Sequence, residues 1–248
     1  MIRSASTSGR LFSGRTSFSD RLCVERFQDL LDDYRQLLEE LDGWFAACVE
    51  QVGDEIRCCK GCSACCRGLF DISLLDAALL KAGFLQLEPE VRERVLARAR
   101  ERVHALQAQW PEFEPPYLLN RLPHEEWLDM PEDDPIPCPL LGDEGQCLVY
   151  AHRPMICRTH GLPNIDSSGE IFSDAVCTLN FKTRDPLTVP GLRHPFRATF
   201  EREFALLERF AERLLGQRRC EFDTFIPCAV LIDFSAQGWT SLPHEEKE

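Results

Sequence analysis

The sequence predicts a mainly α single domain with a small β hairpin, its helices packed around an irregular cysteine-rich centre. Three observations carry this prediction. Apolar residues recur at helical spacing over long stretches, an acidic proline-rich connection shows no period, and the run CCKGCSACC at 58–66 sets five cysteines in nine residues. With 248 residues, 44% of them hydrophobic, the chain can bury a full core without disulfides to compensate for a missing one.

The elements follow in chain order. Residues 1–19 carry three Arg, many Ser and Thr and no acid, so a disordered tail is expected there, with a transit-peptide-like segment as the other reading. One domain is expected over 20–240, and a polar tail over 241–248. Between Asp20 and Val52 the residues Phe27, Leu30, Leu31, Tyr34, Leu37, Leu38 and Leu41 open an apolar stripe that Trp44, Phe45, Cys48 and Val52 continue. That spacing predicts an amphipathic helix, with Cys23 and Cys48 on or beside its buried side as small core residues.

Asp71 or Ser73 is placed to cap a helix over LLDAALLKAGF. A second helix begins with Pro89 in its first turn and ends before Pro111, and its interleaved Arg and Glu read as a solvated face. Residues 110–137 hold seven prolines and eight acids against one Arg, an irregular connection that Trp110, Tyr117 and Trp127 tie down by packing. The stretch PLLGDEGQCLVY predicts two short strands around a Gly-rich turn. A last helix covers about 195–216, with Phe196, Phe200, Phe204, Leu207, Phe210 and Leu214 on one face.

Charge narrows the function classes. A net charge of −13 disfavours nucleic acid and anionic membranes as partners, and no apolar run reaches the ~20 residues that span a bilayer. The chain does not begin with a basic-then-apolar secretory signal, so a cytoplasmic location is expected. In a reducing compartment, clustered thiols hold metal or react more often than they form disulfides, and thirteen cysteines is an odd number.

Cys59, Cys62 and Cys65 have the CxxCxxC spacing that grips an iron–sulfur cluster, with Gly61 supplying the backbone freedom such a curl needs. Cys65 and Cys66 are adjacent, and neighbouring side chains diverge in helices and strands, so one is spare or the two face separate centres. A second group follows: Cys138, Cys147, Cys157 and Cys177. Eight thiolates suit two four-thiolate sites, or one cluster with extra cysteines. Cys58 reads as a spare, and Cys220 and Cys228 as core or incidental residues. Arg153 and Arg158 flank Cys157 and are candidates to stabilise an anionic cluster from its surroundings, with surface ion pairs as the bland alternative. His160 is a ligand, a proton carrier or a turn residue, and His152 a surface or hydrogen-bonding one.

These residues together resemble the cysteine-cluster family known for zinc or iron chelation, including YkgJ-like proteins. The likeness rests on Cys59-x-x-Cys62-x-x-Cys65-Cys66, on Cys138-Pro139-Leu140-Leu141, and on Cys147-Leu148-Val149-Tyr150-x-x-Arg153-Pro154-x-x-Cys157-Arg158, with Cys177 at a later family position. It covers roughly 57–180. The resemblance implies metal binding by zinc or iron; one branch resembles flagellin lysine N-methylases, which use S-adenosylmethionine. No GxGxxG or comparable nucleotide loop follows a predicted strand here.

The leading expectation is an iron–sulfur protein with one or two [4Fe–4S] clusters in a redox or protein-modifying role, acting with an unidentified protein partner or substrate. A zinc-stabilised interaction module without catalysis and a cluster-dependent protein N-methylase are the alternatives. No catalytic residue is identifiable from the sequence.

Overall fold

A computed structural model describes residues 25–59, 61–122, 135–218, 222–235 and 239. The expectations for residues 1–19, Cys23, Trp127, Cys220 and residues 241–248 lie outside the described residues.

The apolar stripe of the first segment forms α1 (Gln28–Val52), one uninterrupted helix that buries Leu30, Leu31, Tyr34, Leu37, Leu38, Leu41, Trp44 and Cys48. Its main partner is the last long helix, α5 (Phe196–Leu215). Ion pairs on their shared edge join Asp29 to Arg213, Asp33 to Arg209 and Glu40 to Arg202. The numbers rise on one helix as they fall on the other, so the two run antiparallel. Such exposed pairs contribute only about 0–1 kcal/mol each, and the apolar seam carries the stability. Within that seam the rings of Phe27 and Phe210 lie 4.5 Å apart.

Between these helices and the rest of the chain lies α2 (Leu74–Phe84), in which every residue is buried. Ser73 caps it by accepting a hydrogen bond from the Asp76 amide at 3.1 Å. Its one lysine is satisfied internally, since Lys81 Nζ donates to the Val230 carbonyl at 2.6 Å. The following α3 (Pro89–Gln109) starts with proline at its first position and buries Val95, Ala99, Val103 and Leu106 on one side. A second core gathers beneath it around Trp110, Phe113, Phe225 and Cys228.

The β component is small and differs in place from the sequence expectation. Strand β1 (Asp71–Ser73) pairs antiparallel with β5 (Asp223–Phe225). Strands β2 (Asn164–Asp166), β3 (Ile171–Ser173) and β4 (Arg193–His194) form a sheet in the order β3-β2-β4, with β2 and β4 parallel. The segment expected to be a hairpin, PLLGDEGQCLVY, closes as a turn with a single bridge between Leu141 and Cys147. It does so because Gly142 bonds back to Gln146 at 2.8 Å, leaving too few residues on either side for a ladder. Two short helices, α4 (Ile156–Thr159) and α6 (Ile226–Ala229), complete the frame. Among the described residues no helix is long and apolar enough to cross a membrane.

Candidate metal centre

The segment 58–66 curls through successive tight turns. Cys62 donates its N–H to the Cys59 carbonyl, Cys66 to Ser63 and Gly68 to Cys65, at 3.0, 3.0 and 3.3 Å. Gly61 sits at φ +92°, a conformation L side chains rarely adopt, which is the freedom expected of it. The second cysteine segment is fastened onto the first by the backbone: the Cys138 N–H reaches the Cys66 carbonyl at 2.7 Å.

Together these segments wall a cavity of about 80 Å³. Six of the eight predicted ligands line it: Cys62, Cys65, Cys66, Cys138, Cys147 and Cys157. Phe70, Leu80, Leu140, Val149 and Ile226 make the remaining wall largely apolar. Cys59 is exposed and outside the lining, and Cys177 lies elsewhere, next to Cys58. Cys65 and Cys66 both face the cavity and hydrogen-bond to one another. The expected divergence of adjacent side chains fails because they occupy a turn and not a helix or strand.

Burial in this apolar setting and the proximity of other thiols push the sulfhydryls up. Cys138 is raised to about 12, chiefly by burial and then by Cys147 and Cys65. Cys157 is raised well above its ordinary value by burial, then by Cys138, Cys147 and Cys65. In Cys147 too, burial raises the thiol. Several thiolates cannot share such a cavity without a cation, and a bound metal reverses this balance by deprotonating the thiols it holds.

The two arginines divide. Arg153 lines the cavity, stacks its guanidinium 3.7 Å from the Tyr150 ring centroid and favours ionisation of Cys65 and Cys147. Arg158 is absent from the lining and buried; it pairs with Asp42 of α1 and donates to the carbonyls of Ala151 at 2.9 Å and Arg153 at 3.1 Å. Asp42 also takes Arg153 at 3.3 Å, so one carboxylate of α1 pins both arginines of the second segment. His160 lines the cavity, edge-on to Phe70 at 5.0 Å, and burial favours its neutral form. His152 is half-buried against Gly83 of α2. Cys48 and Cys228 are core residues, as the sequence predicts.

Sequence reasoning missed Asn180, Asp42 and Asp76. Asn180 stands three residues after Cys177 and touches both Cys58 and the chain around Cys177. Asp76, on the buried helix α2, accepts the Met155 N–H at 3.1 Å and so fixes the turn that leads into Cys157. An acid inside a helix that is apolar apart from Lys81 was the available signal for Asp76.

Among the described residues no three Cys, His, Asp or Glu side chains are already gathered into a metal-holding group; the thiols line walls and do not meet at a point. The donor chemistry nonetheless fits a metal: soft sulfur ligands in quantity, a dry wall and one facing guanidinium suit zinc or iron. A helical frame around such a thiol-walled cavity defines a metal-chelating cysteine domain. Residues 58–177 match the model of the CxxCxxCC family, whose description reads "Putative zinc- or iron-chelating domain". No curated protein and no solved structure matches the chain.

Proposed function

We propose that the cavity holds an iron–sulfur cluster of the [4Fe–4S] type and that the protein works in electron transfer or in the modification of a protein partner. One observation carries this reading: six cysteines line a space of about 80 Å³. The space admits several water-sized spheres, each of roughly 10–15 Å³, so it suits a polynuclear group better than a lone zinc ion. Cys65, Cys138, Cys147 and Cys157 would supply the thiolates, drawn from both segments.

When bound, such a cluster supplies one-electron exchange. The residues of the chain set its surroundings. Arg153 offsets the negative charge of the thiolates, and the apolar wall of Phe70, Leu80 and Ile226 limits water. His160, neutral at the wall, is positioned to hold or pass a proton. Tyr150 is half exposed beside Arg153, so this edge of the site is open to a partner.

The test is protein purified without oxygen and analysed for iron, acid-labile sulfide and zinc. The expected result is brown protein with iron and sulfide in equal amounts and absorption that bleaches on dithionite reduction. Colourless protein retaining stoichiometric zinc would replace this reading with that of a zinc-stabilised module.

A further inference from the structure

Where residues 55–58 pass residues 177–183, hydrogen bonds lace two distant stretches of chain together. The Glu55 carbonyl accepts the Phe181 N–H at 2.8 Å, the Thr183 hydroxyl donates to the Glu55 carboxylate, and Asn180 Oδ1 accepts the Arg57 N–H at 2.8 Å. The Gly161 carbonyl takes the Asn180 side-chain amide at 2.8 Å and the Cys177 N–H at 3.4 Å. Cys58 and Cys177, more than a hundred residues apart in sequence, are thereby held around Gly161. A Cβ built on Gly161 would fall 3.2 Å from Cys58 Sγ and 3.6 Å from Cys177 Cβ, so that sulfur and that carbon lie within about 7 Å of one another. Gly161 adopts φ +111° and carries no side chain to stand between them.

Neither cysteine lines the main cavity. Both are half-buried, and Arg57, Cys59, Thr178 and Leu179 beside them are exposed, so a small molecule reaches the edge of the pair. Asn180, itself 4% exposed, presents Nδ2 to Cys58 Sγ at 3.4 Å. An N–H facing sulfur favours the thiolate, while burial acts the other way and raises the Cys58 thiol. A raised thiol is slow to ionise but strongly nucleophilic once it does, which suits the second and intramolecular step of a disulfide exchange.

We propose that Cys58 and Cys177 form a reversible thiol–disulfide site, a clasp that closes when a small disulfide such as oxidised glutathione reaches them. The reaction is two exchanges. Cys177, followed by two exposed residues, loses its proton and attacks one sulfur of the small disulfide. A mixed disulfide forms on Cys177, the small S–S bond breaks, and its other half leaves and takes up a proton. Cys58 then loses its proton and attacks Cys177 Sγ, and the second half of the small disulfide leaves as a thiol. The protein thiols give up two electrons and two protons, and the small disulfide gains both, so no further oxidant is required. Closure brings the two Cβ atoms to roughly 3.5–4.5 Å, and the bare backbone of Gly161 leaves the way open. The clasp does not draw on Cys65, Cys138, Cys147 or Cys157 and is independent of which metal the cavity holds.

Full-length protein, as purified, is treated with oxidised glutathione, its remaining thiols are alkylated, and its peptides are analysed by mass spectrometry. The expected result is a peptide pair linked through Cys58 and Cys177 that dithiothreitol separates. Cys58→Ser should stop at the first step and keep glutathione on Cys177, and Cys177→Ser should leave Cys58 alkylated. Cys59→Ser and Cys62→Ser should close as the wild type does. Wild-type protein in which Cys58 and Cys177 are both alkylated, or in which Cys58 is linked to Cys59 or Cys62, overturns the clasp. A link that forms only after a chelator has stripped bound metal also overturns it, since Cys177 would then belong to the metal centre.

Discussion

Tyr34 has one hydroxyl proton and two carboxyl groups beside it, one buried and one half-buried. Its oxygen lies 2.9 Å from Asp76 Oδ1 and 3.1 Å from Glu203 Oε1. If Tyr34 donates to Asp76, Glu203 must bring its own proton to the shared oxygen. Burial first, and then the charge of Asp76, raise Glu203 from 4.5 to about 8. Asp76 itself rises only to about 6, because Tyr34 and the Met155 amide partly offset its burial. The unfolded chain releases the Glu203 proton near 4.5 and the folded chain near 8, so stability is full below 4.5 and falls as pH rises to about 8. Glu203→Gln should keep the donor and remove that fall. In urea titrations at pH 5 and 8.5 the variant should lose less stability than wild type, by on the order of 1–3 kcal/mol. A second residue-scale prediction concerns Asp42, which pins Arg153 and Arg158. Asp42→Asn should cost about 1–2 kcal/mol in a thermal or urea melt, discounted because the carboxylate is partly exposed.

At the scale of elements, the buried helix α2 carries the second cysteine segment on its surface. Gly83 leaves room for His152, whose ring and Cβ would lie 2.6–2.8 Å from an added methyl. His152 sits in the turn just before Arg153 and Cys157, so Gly83→Ala should push that turn outward. The expected cost is about 1–3 kcal/mol, read as a lower melting temperature together with weaker metal retention. The long elements were legible in the sequence because their apolar stripes repeat over several turns, as in α1 and α5. Of the two caps the sequence offered for α2, Ser73 is the one used, and Pro89 opens the first turn of α3 as its chemistry predicts. The short strands were not legible: β1 and β5 have three residues each and meet across some 150 residues of chain, too short for a period to show. The site divides the same way. CxxCxxC and the Cys138–Cys157 group announce themselves by spacing, whereas the placing of Cys58 and Cys177 around Gly161 and Asn180 shows only in the folded chain.

On the scale of the whole molecule, the cavity joins two segments that the hydrophobic core holds only indirectly. A metal bound by Cys65 and Cys138 ties them as a cross-link would, and any ligand that binds the folded state alone stabilises it. At a free metal concentration 100 times the dissociation constant this is worth about 2.7 kcal/mol, or about 5–10 °C in melting temperature for a chain of this size. Stripping the metal with a chelator should therefore lower the melting temperature by that amount, and restoring it should return the original value. An unchanged melting temperature would mean that the cavity walls stand without a ligand.

The distance along the chain between the two halves of the cavity has a further consequence, in time. Cys66 and Cys138 are about 70 residues apart, and at roughly 5–20 residues per second a ribosome needs about 4–14 s to make that stretch. During this interval CCKGCSACC has left the ribosome without its complement, and neither the Cys138 amide nor the arginine of the second segment exists to fit it. The newborn motif is then a loose chelator and an oxidisable set of thiols, open to whichever soft metal or oxidant arrives first. The cell must deliver the correct metal late, after residue 157 has emerged, or keep those thiols reduced until the cavity can close around it.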